Sequence, residues 1–156
     1  MDDSARAYIA GFLDGDGSIM LQIKPRQDTR YGFRLYATLC FYQDSAHEDG
    51  LRWICEQLEC GYIAQRNDGM SELRINGYGS VERVLLEIQG YIRFKNLQAQ
   101  YMLDALAILR RKPTAEQFLR ACQFADEISK ANYKSRKKRS ALTVEEHLKA
   151  NGLLSP

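Results

Sequence analysis

The sequence predicts an α+β fold of αββαββα order: a four-stranded antiparallel sheet with helices on one side, extended by additional C-terminal helices. Three observations predict it. An apolar helical run stops at "DGDGS", the hydrophobic period then changes from that of a helix to that of a strand, and a second strand pair follows between two amphipathic helical stretches.

The first element is "AYIAGFLDGDGS", residues 7–18. Ala7, Ala10, Gly11 and Asp14 fall at i, i+3, i+4 and i+7 and are read as one small-residue face, while Tyr8, Ile9, Phe12 and Leu13 cover the others. Glycine inside a helix costs about 1 kcal/mol relative to alanine, so Gly11 points to close approach by a second helix. Asp14 and Asp16 stand at the helix exit, where the macrodipole is negative, so a cation should compensate them.

Two strands come next. In "SIMLQIKP", Ile19, Leu21 and Ile23 alternate with Met20, Gln22 and Lys24. In "GFRLYATLCFYQ", Phe33, Leu35, Ala37, Leu39 and Phe41 make one face and Arg34, Tyr36, Thr38, Cys40 and Tyr42 the other. "SAHEDGLRWICEQLE" reads as a helix opened by a capping box from Ser45 to Glu48, with Leu51, Ile54, Cys55 and Leu58 at helical spacing. "GYIAQRNDGMSELRIN" is a hairpin turning on Asn67-Asp68-Gly69, with Arg66, Glu72 and Arg74 on its polar face. "SVERVLLEIQ" supplies the next helix through Val81, Val84, Leu85 and Ile88. Further helices are expected at 96–111 and 114–132, the second capped by Thr114 and Gln117. The small-residue motif occurs once.

With 156 residues, 45% of them hydrophobic, the chain suits one domain over 1–156, with a basic loop at about 133–142 and a last helix appended. Net charge argues only weakly for a polyanionic partner, with 22 basic against 20 acidic residues. Its distribution says more, because "SKANYKSRKKRS" carries six basic residues and no acid across 129–139. Cys40, Cys55, Cys60 and Cys122 lack a C-x-x-C spacing, and two histidines add little, so zinc is disfavoured and the thiols read as reduced, in an intracellular protein. No apolar run approaches the roughly 20 residues of a membrane span. An EF-hand is rejected, since the sixth and twelfth loop positions counted from Asp14 are Ile19 and Pro25.

"YIAGFLDGDGS", followed by two alternating strands, resembles the defining motif of the LAGLIDADG homing endonucleases, in their single-motif, homodimeric group I intron form. Similarity runs from Tyr8 to Gln43, through "GYIRFKNLQA" and loosely through "FLRACQFADEI". The resemblance implies a homodimer joined through the motif helices by Ala7, Ala10, Gly11 and Asp14, and metal-dependent cleavage of both strands of a long pseudo-palindromic DNA target across the minor groove, leaving staggered ends that promote intron homing. Two Asp16 carboxylates brought together by symmetry repel each other, and hard divalent cations offset that repulsion.

By the resemblance, Asp16 and the Gly15 carbonyl are metal ligands for Mg²⁺, with Mn²⁺ able to substitute and Ca²⁺ binding without supporting cleavage. Gln43 and Lys95 match positions that order water and balance charge beside the nucleophile. The family's arginine after the second strand has no clear counterpart; His47 and Arg52 are the candidates. Gln22, Lys24, Arg26, Arg30, Arg34, Tyr36, Arg66, Glu72 and Arg74 are the expected DNA readers, and Lys134, Arg136, Lys137, Lys138 and Arg139 the phosphate clamp. Two alternatives stay open: a non-cleaving DNA-binding regulator and an RNA-binding intron-splicing helper.

Overall fold

A computed structural model describes residues 1–132 and 139–156. Its elements, in order, are α1 (Asp3–Asp16), β1 (Gly17–Pro25), β2 (Phe33–Asp44), α2 (Glu48–Leu58), β3 (Tyr62–Gln65), β4 (Met70–Asn76), α3 (Tyr78–Ile88), α4 (Asn96–Leu109), α5 (Ala115–Ala131) and α6 (Ala141–Ala150). The αββαββα order with C-terminal helices holds, and the sheet is antiparallel throughout, in the order β1-β2-β4-β3.

α1 starts where the Asp2 side chain accepts the Ala5 amide at 2.8 Å, and runs into β1 without a loop. Gly17 makes that junction possible for a steric reason. A Cβ there would lie 2.8 Å from the Leu13 Cα and carbonyl oxygen, so no other residue fits without moving the helix end. From Gly17 onward the register pairs Gly17 with Phe41, Gln22 with Tyr36 and Lys24 with Arg34.

The alternation read from the sequence sets the two faces of the sheet. Ile19, Leu21 and Ile23 of β1, Leu35, Leu39 and Phe41 of β2, and Leu73 and Ile75 of β4 are buried against the helices. They form one continuous core with Ile9 and Leu13 of α1, Leu51, Ile54 and Leu58 of α2, and Val81, Val84, Leu85 and Ile88 of α3. The other face carries Gln22, Lys24, Arg34, Tyr36, Glu72 and Arg74. α5 lies along β1, where the Asn132 side-chain amide donates to the Ile19 carbonyl at 3.0 Å and occupies part of the sheet edge.

One cap forms as read and one does not. Thr114 and Gln117 make the full reciprocal box at the start of α5. Ser45 and Glu48 do not. Residues 45–47 instead form a 3₁₀ turn capped by the Asp44 side chain, and Glu48 becomes the first residue of α2. Its carboxylate turns inward to Ser71 Oγ at 2.6 Å and Gln65 Nε2 at 3.0 Å and is ion-paired to Arg52. Three partners outcompete the single amide that a capping box offers. These bonds hold Glu48 below the usual carboxylate range despite its burial, the Ser71 and Gln65 contributions coming first. All four cysteines are free thiols, with Cys40 and Cys122 buried. No helix is long and apolar enough to cross a membrane among the described residues.

Candidate functional site

The motif helix ends in a knot of charge. Asp14 accepts the backbone amide of Arg93 at 2.7 Å and that of Lys95 at 2.9 Å through its two carboxylate oxygens. The Lys95 ammonium returns to the Asp14 carbonyl at 2.5 Å. The start of α4 is thereby fastened to the end of α1, and the cation that two acids at a helix C-terminus require is Lys95. Burial lowers the Lys95 pKa, while Asp14 and Asp16 act to raise it, so the ammonium senses both carboxylates.

Asp16 is exposed and has no ion pair among the described residues. β2 runs three residues past the Gly17–Phe41 pair, which brings Gln43 to the same end of the sheet as Asp16. The Gln43 amide oxygen accepts the Asp44 N–H at 2.9 Å, directing the NH₂ end elsewhere. Neither stand-in for the family arginine joins this cluster: His47 is exposed beyond β2, and Arg52 is committed to Glu48.

The outer face of α1 carries Ser4, Ala7, Tyr8, Gly11 and Gly15, all exposed. Ala10, expected with them, is fully buried within the chain. The physical reason is angular: Ala7 and Gly11 lie about 40° apart around the helix, whereas Ala10 and Gly11 lie about 100° apart, too far to share a narrow contact face. Asp14 likewise turns its carboxylate into the Arg93–Lys95 backbone. Beyond chain neighbours and the adjacent helix backbone, no described atom lies within 4 Å of where a Cβ would sit on Gly11 or Gly15, so no described packing within the chain requires glycine at either position.

On the open face of the sheet the basic residues are held by neighbours. The Lys24 ammonium stands 5.0 Å over the Tyr36 ring, and the Arg34 guanidinium 5.8 Å from it. Arg26 bonds Asp28 at 2.8 Å and donates to the Tyr36 hydroxyl at 3.2 Å. Arg30 lies over the Tyr31 ring, and Arg66 pairs with Asp68 at the β3–β4 turn. Arg74 donates to Glu72 at 2.6 Å, leaving Glu72 buried and its carboxylate engaged. Gln22 and Arg139 are exposed, while Lys134, Arg136, Lys137 and Lys138 lie outside the described residues.

A polar row across this face joins Thr38 and Tyr42, placed here by the alternation of β2, to Ser18, Asn76 and Tyr62, which sequence reasoning missed. Ser18 bonds Tyr42 at 3.0 Å, Thr38 donates to Asn76 at 2.9 Å, and Asn76 reaches toward the Tyr62 hydroxyl at 3.5 Å. The signal was present: Asn76 is in phase with Glu72 and Arg74 along β4.

For a metal, this helix end offers hard oxygen donors only: the Asp16 carboxylate and the Gly15 carbonyl. That chemistry suits Mg²⁺ or Ca²⁺ and disfavours a soft cation. Among the described residues no group of three or more histidine, cysteine or acidic side chains could hold an ion.

Residues 9–105 match the family profile described as LAGLIDADG endonuclease. The chain is 29% identical over 138 residues to the DNA endonuclease I-CreI of Chlamydomonas reinhardtii, covering 88% of this chain and 84% of the relative. It is 31% identical over 122 residues to the DNA endonuclease I-CvuI of Chlorella vulgaris, covering 78% and 76%. The crystal structure of I-CvuI with its target in the presence of 2 mM Ca aligns with a TM-score of 0.90 at 28% identity, covering 97% of this chain and 98% of that one. I-CvuI with the I-CreI target and 2 mM Mg, in which the DNA is not cleaved, gives 0.89 at 30% identity and 94% of each chain.

Proposed function

The chain belongs to the LAGLIDADG endonuclease family, and from that premise we propose that it is a homodimeric, metal-dependent homing endonuclease cutting both strands of one long, roughly palindromic DNA target. The observation that carries this reading is Gly11. It sits mid-helix on an exposed face where its own described protomer leaves open space, and the same helix ends at the uncommitted carboxylate of Asp16. A second copy packed on that face would set the two Asp16 side chains on either side of a two-fold axis. Exposed apolar side chains flank the helix and favour such a partner: Tyr8 meets Trp53 edge-on at 5.4 Å, and Phe94, 84% exposed, adjoins Lys95.

The sheet supplies the DNA-binding surface. Nine residues of β1 span roughly 30 Å at about 3.3 Å per residue, close to one turn of duplex, so each protomer would follow one major groove. Gln22, Lys24, Arg26, Arg30, Arg34, Tyr36, Arg66 and Arg74 would read base edges and phosphates, with Glu72 orienting Arg74. Arg139 and the basic residues before it would add salt-dependent phosphate affinity.

When bound, Mg²⁺ would activate a water and stabilise the leaving oxygen. Asp16 and the Gly15 carbonyl would hold it, with phosphate oxygens and the second copy completing the shell. Lys95, whose amine donates to the Asp14 carbonyl, would set a cation beside both acids and lower the electrostatic cost of bringing a phosphate there. Gln43 would use its NH₂ end to order water. An exposed Asp16 at the edge of a DNA-facing sheet repels phosphate in a protein that only binds, which favours the enzyme over the regulator.

The test is cleavage of a randomised duplex library with Mg²⁺, sequencing the ends produced. Recurrent staggered breaks centred in an approximate palindrome are expected. Selective binding without cleavage by an intact dimer would refute the enzymatic reading.

A further inference from the structure

The turn joining β1 to β2, residues 26–32, projects Arg26, Gln27, Asp28 and Arg30 into solvent at the far end of the sheet from Asp16. Its interior is tied by the Arg26 amide to the Gly32 carbonyl at 2.9 Å, and by the Thr29 hydroxyl to the carbonyls of Arg26 and Phe33 at 2.7 and 3.0 Å. Those bonds shape the turn but do not aim it.

Two struts from the C-terminal helices do. Tyr31 of the turn reaches back to the start of α5, its hydroxyl donating to the Pro113 carbonyl at 2.7 Å and its ring lying 5.1 Å from Phe118. The other strut is His147 of α6. Its ring meets Phe33 edge-on at 5.1 Å and presses so close to Gly32 that a Cβ there would lie 2.6 Å from His147 Nε2. Gly32 has φ +76°, a conformation natural to glycine, and it is the last residue before β2 begins. The imidazole therefore bears on the joint where the turn leaves the strand, and glycine there is what admits the ring.

We propose that His147 is a positioning residue for DNA specificity, holding the β1–β2 turn so that Arg26, Gln27 and Arg30 read the outermost base pairs of each half-site. This rests on the endonuclease reading above. A glycine joint with no side chain packed on it can adopt several backbone conformations. Bidentate recognition of base edges fails when the donor fork moves by a fraction of its length, so loosening this joint degrades readout by the turn alone. Readers farther along the sheet, such as Arg74, are fixed by ladder pairing and keep their register.

The experiment is selection and cleavage of a randomised duplex library by wild type, His147→Ala, His147→Phe and Gly32→Ala, with the melting temperature of each. In His147→Ala, discrimination at the outermost positions falls about five- to tenfold, the range set by losing part of a bidentate contact, while central positions and the maximal cleavage rate on the best target stay within about twofold. His147→Phe keeps a flat ring against Phe33 and restores the outer preference. Gly32→Ala, whose added Cβ meets the ring and also strains a backbone at φ +76°, gives an outer-position loss at least as large as His147→Ala. Unchanged outer preference in His147→Ala overturns the proposal, as does an equal loss at every position accompanied by a lower melting temperature. A wild type that selects no duplex at all refutes the endonuclease reading and the inference built on it.

Discussion

Asp14 and Lys95, 81 residues apart, are joined twice: the Lys95 amide donates to the Asp14 carboxylate at 2.9 Å, and the Lys95 ammonium donates to the Asp14 carbonyl at 2.5 Å. The carboxylate also takes the Arg93 amide, so the end of the motif helix and the start of α4 form one rigid joint beside Asp16. Asp14→Ala breaks two charge-assisted bonds and is expected to lower stability by about 2–4 kcal/mol in urea unfolding. Lys95→Met keeps the backbone bond, so it should cost less stability than Asp14→Ala while reducing cleavage. The two variants together separate the structural share of the joint from its electrostatic share.

Gly17→Ala tests how tightly that helix end is specified. The added methyl would meet Leu13 backbone atoms at 2.8 Å, and backbone cannot step aside as a side chain can. Overpacking of this kind costs about 1–3 kcal/mol. Because Asp16 precedes Gly17 directly, cleavage should fall further than DNA affinity, measured on the same target by rate and by filter binding.

Gly11→Leu should behave in the opposite way. Nothing described outside its own helix turn stands within 4 Å of the new Cβ, and leucine is the better helix former by about 1 kcal/mol, so the melting temperature of the monomer should hold or rise. The proposed packing of a second copy through that face would be blocked, and dimer affinity by analytical ultracentrifugation should weaken about 5- to 150-fold, the equivalent of overpacking by about 1–3 kcal/mol. Loss of monomer stability instead would place the role of Gly11 inside the protomer.

The Glu48 network sets an acid limit. Hydrogen bonds from Ser71 and Gln65, with Arg52, hold its carboxyl in the folded state below the value it has when unfolded. Between those two values the unfolded chain binds more protons, so stability falls as pH drops through that window and is fully present above it. Glu48→Gln should flatten the dependence of the urea midpoint between pH 5 and pH 3; a slope identical to wild type would assign the acid limit to other groups.

Most of the fold is legible in the sequence because it is written in local patterns. Alternation in "SIMLQIKP" and "GFRLYATLCFYQ" fixes which residues face the helices, and the spacing of Val81, Val84, Leu85 and Ile88 marks the buried stripe of α3. What is not legible depends on partners distant in the chain. Ser45 and Glu48 have capping-box spacing, but Ser71 on β4 lies 23 residues from Glu48 and takes its carboxylate. Asp14 stands at the helix exit in the sequence, but nothing local names the amides of Arg93 and Lys95 as the partners of its carboxylate. Ala10 and Gly11 are adjacent small residues about 100° apart around the helix, and which of the two faces the core is settled only by packing. His147 at its contact with Gly32 has no sequence signal at all, because the contact spans 115 positions and depends on where α6 docks.

The central claim is that Asp16 carries the chemistry at the end of an otherwise DNA-binding scaffold, and one comparison tests it. Wild type and Asp16→Asn are given the same duplex target with Mg²⁺, with cleavage and binding measured side by side. The expected result is cleavage by wild type alone, with affinities alike, because the amide keeps the shape of the side chain and loses the charge that holds a divalent cation. Asp16→Asn cutting at the wild-type rate would contradict the account.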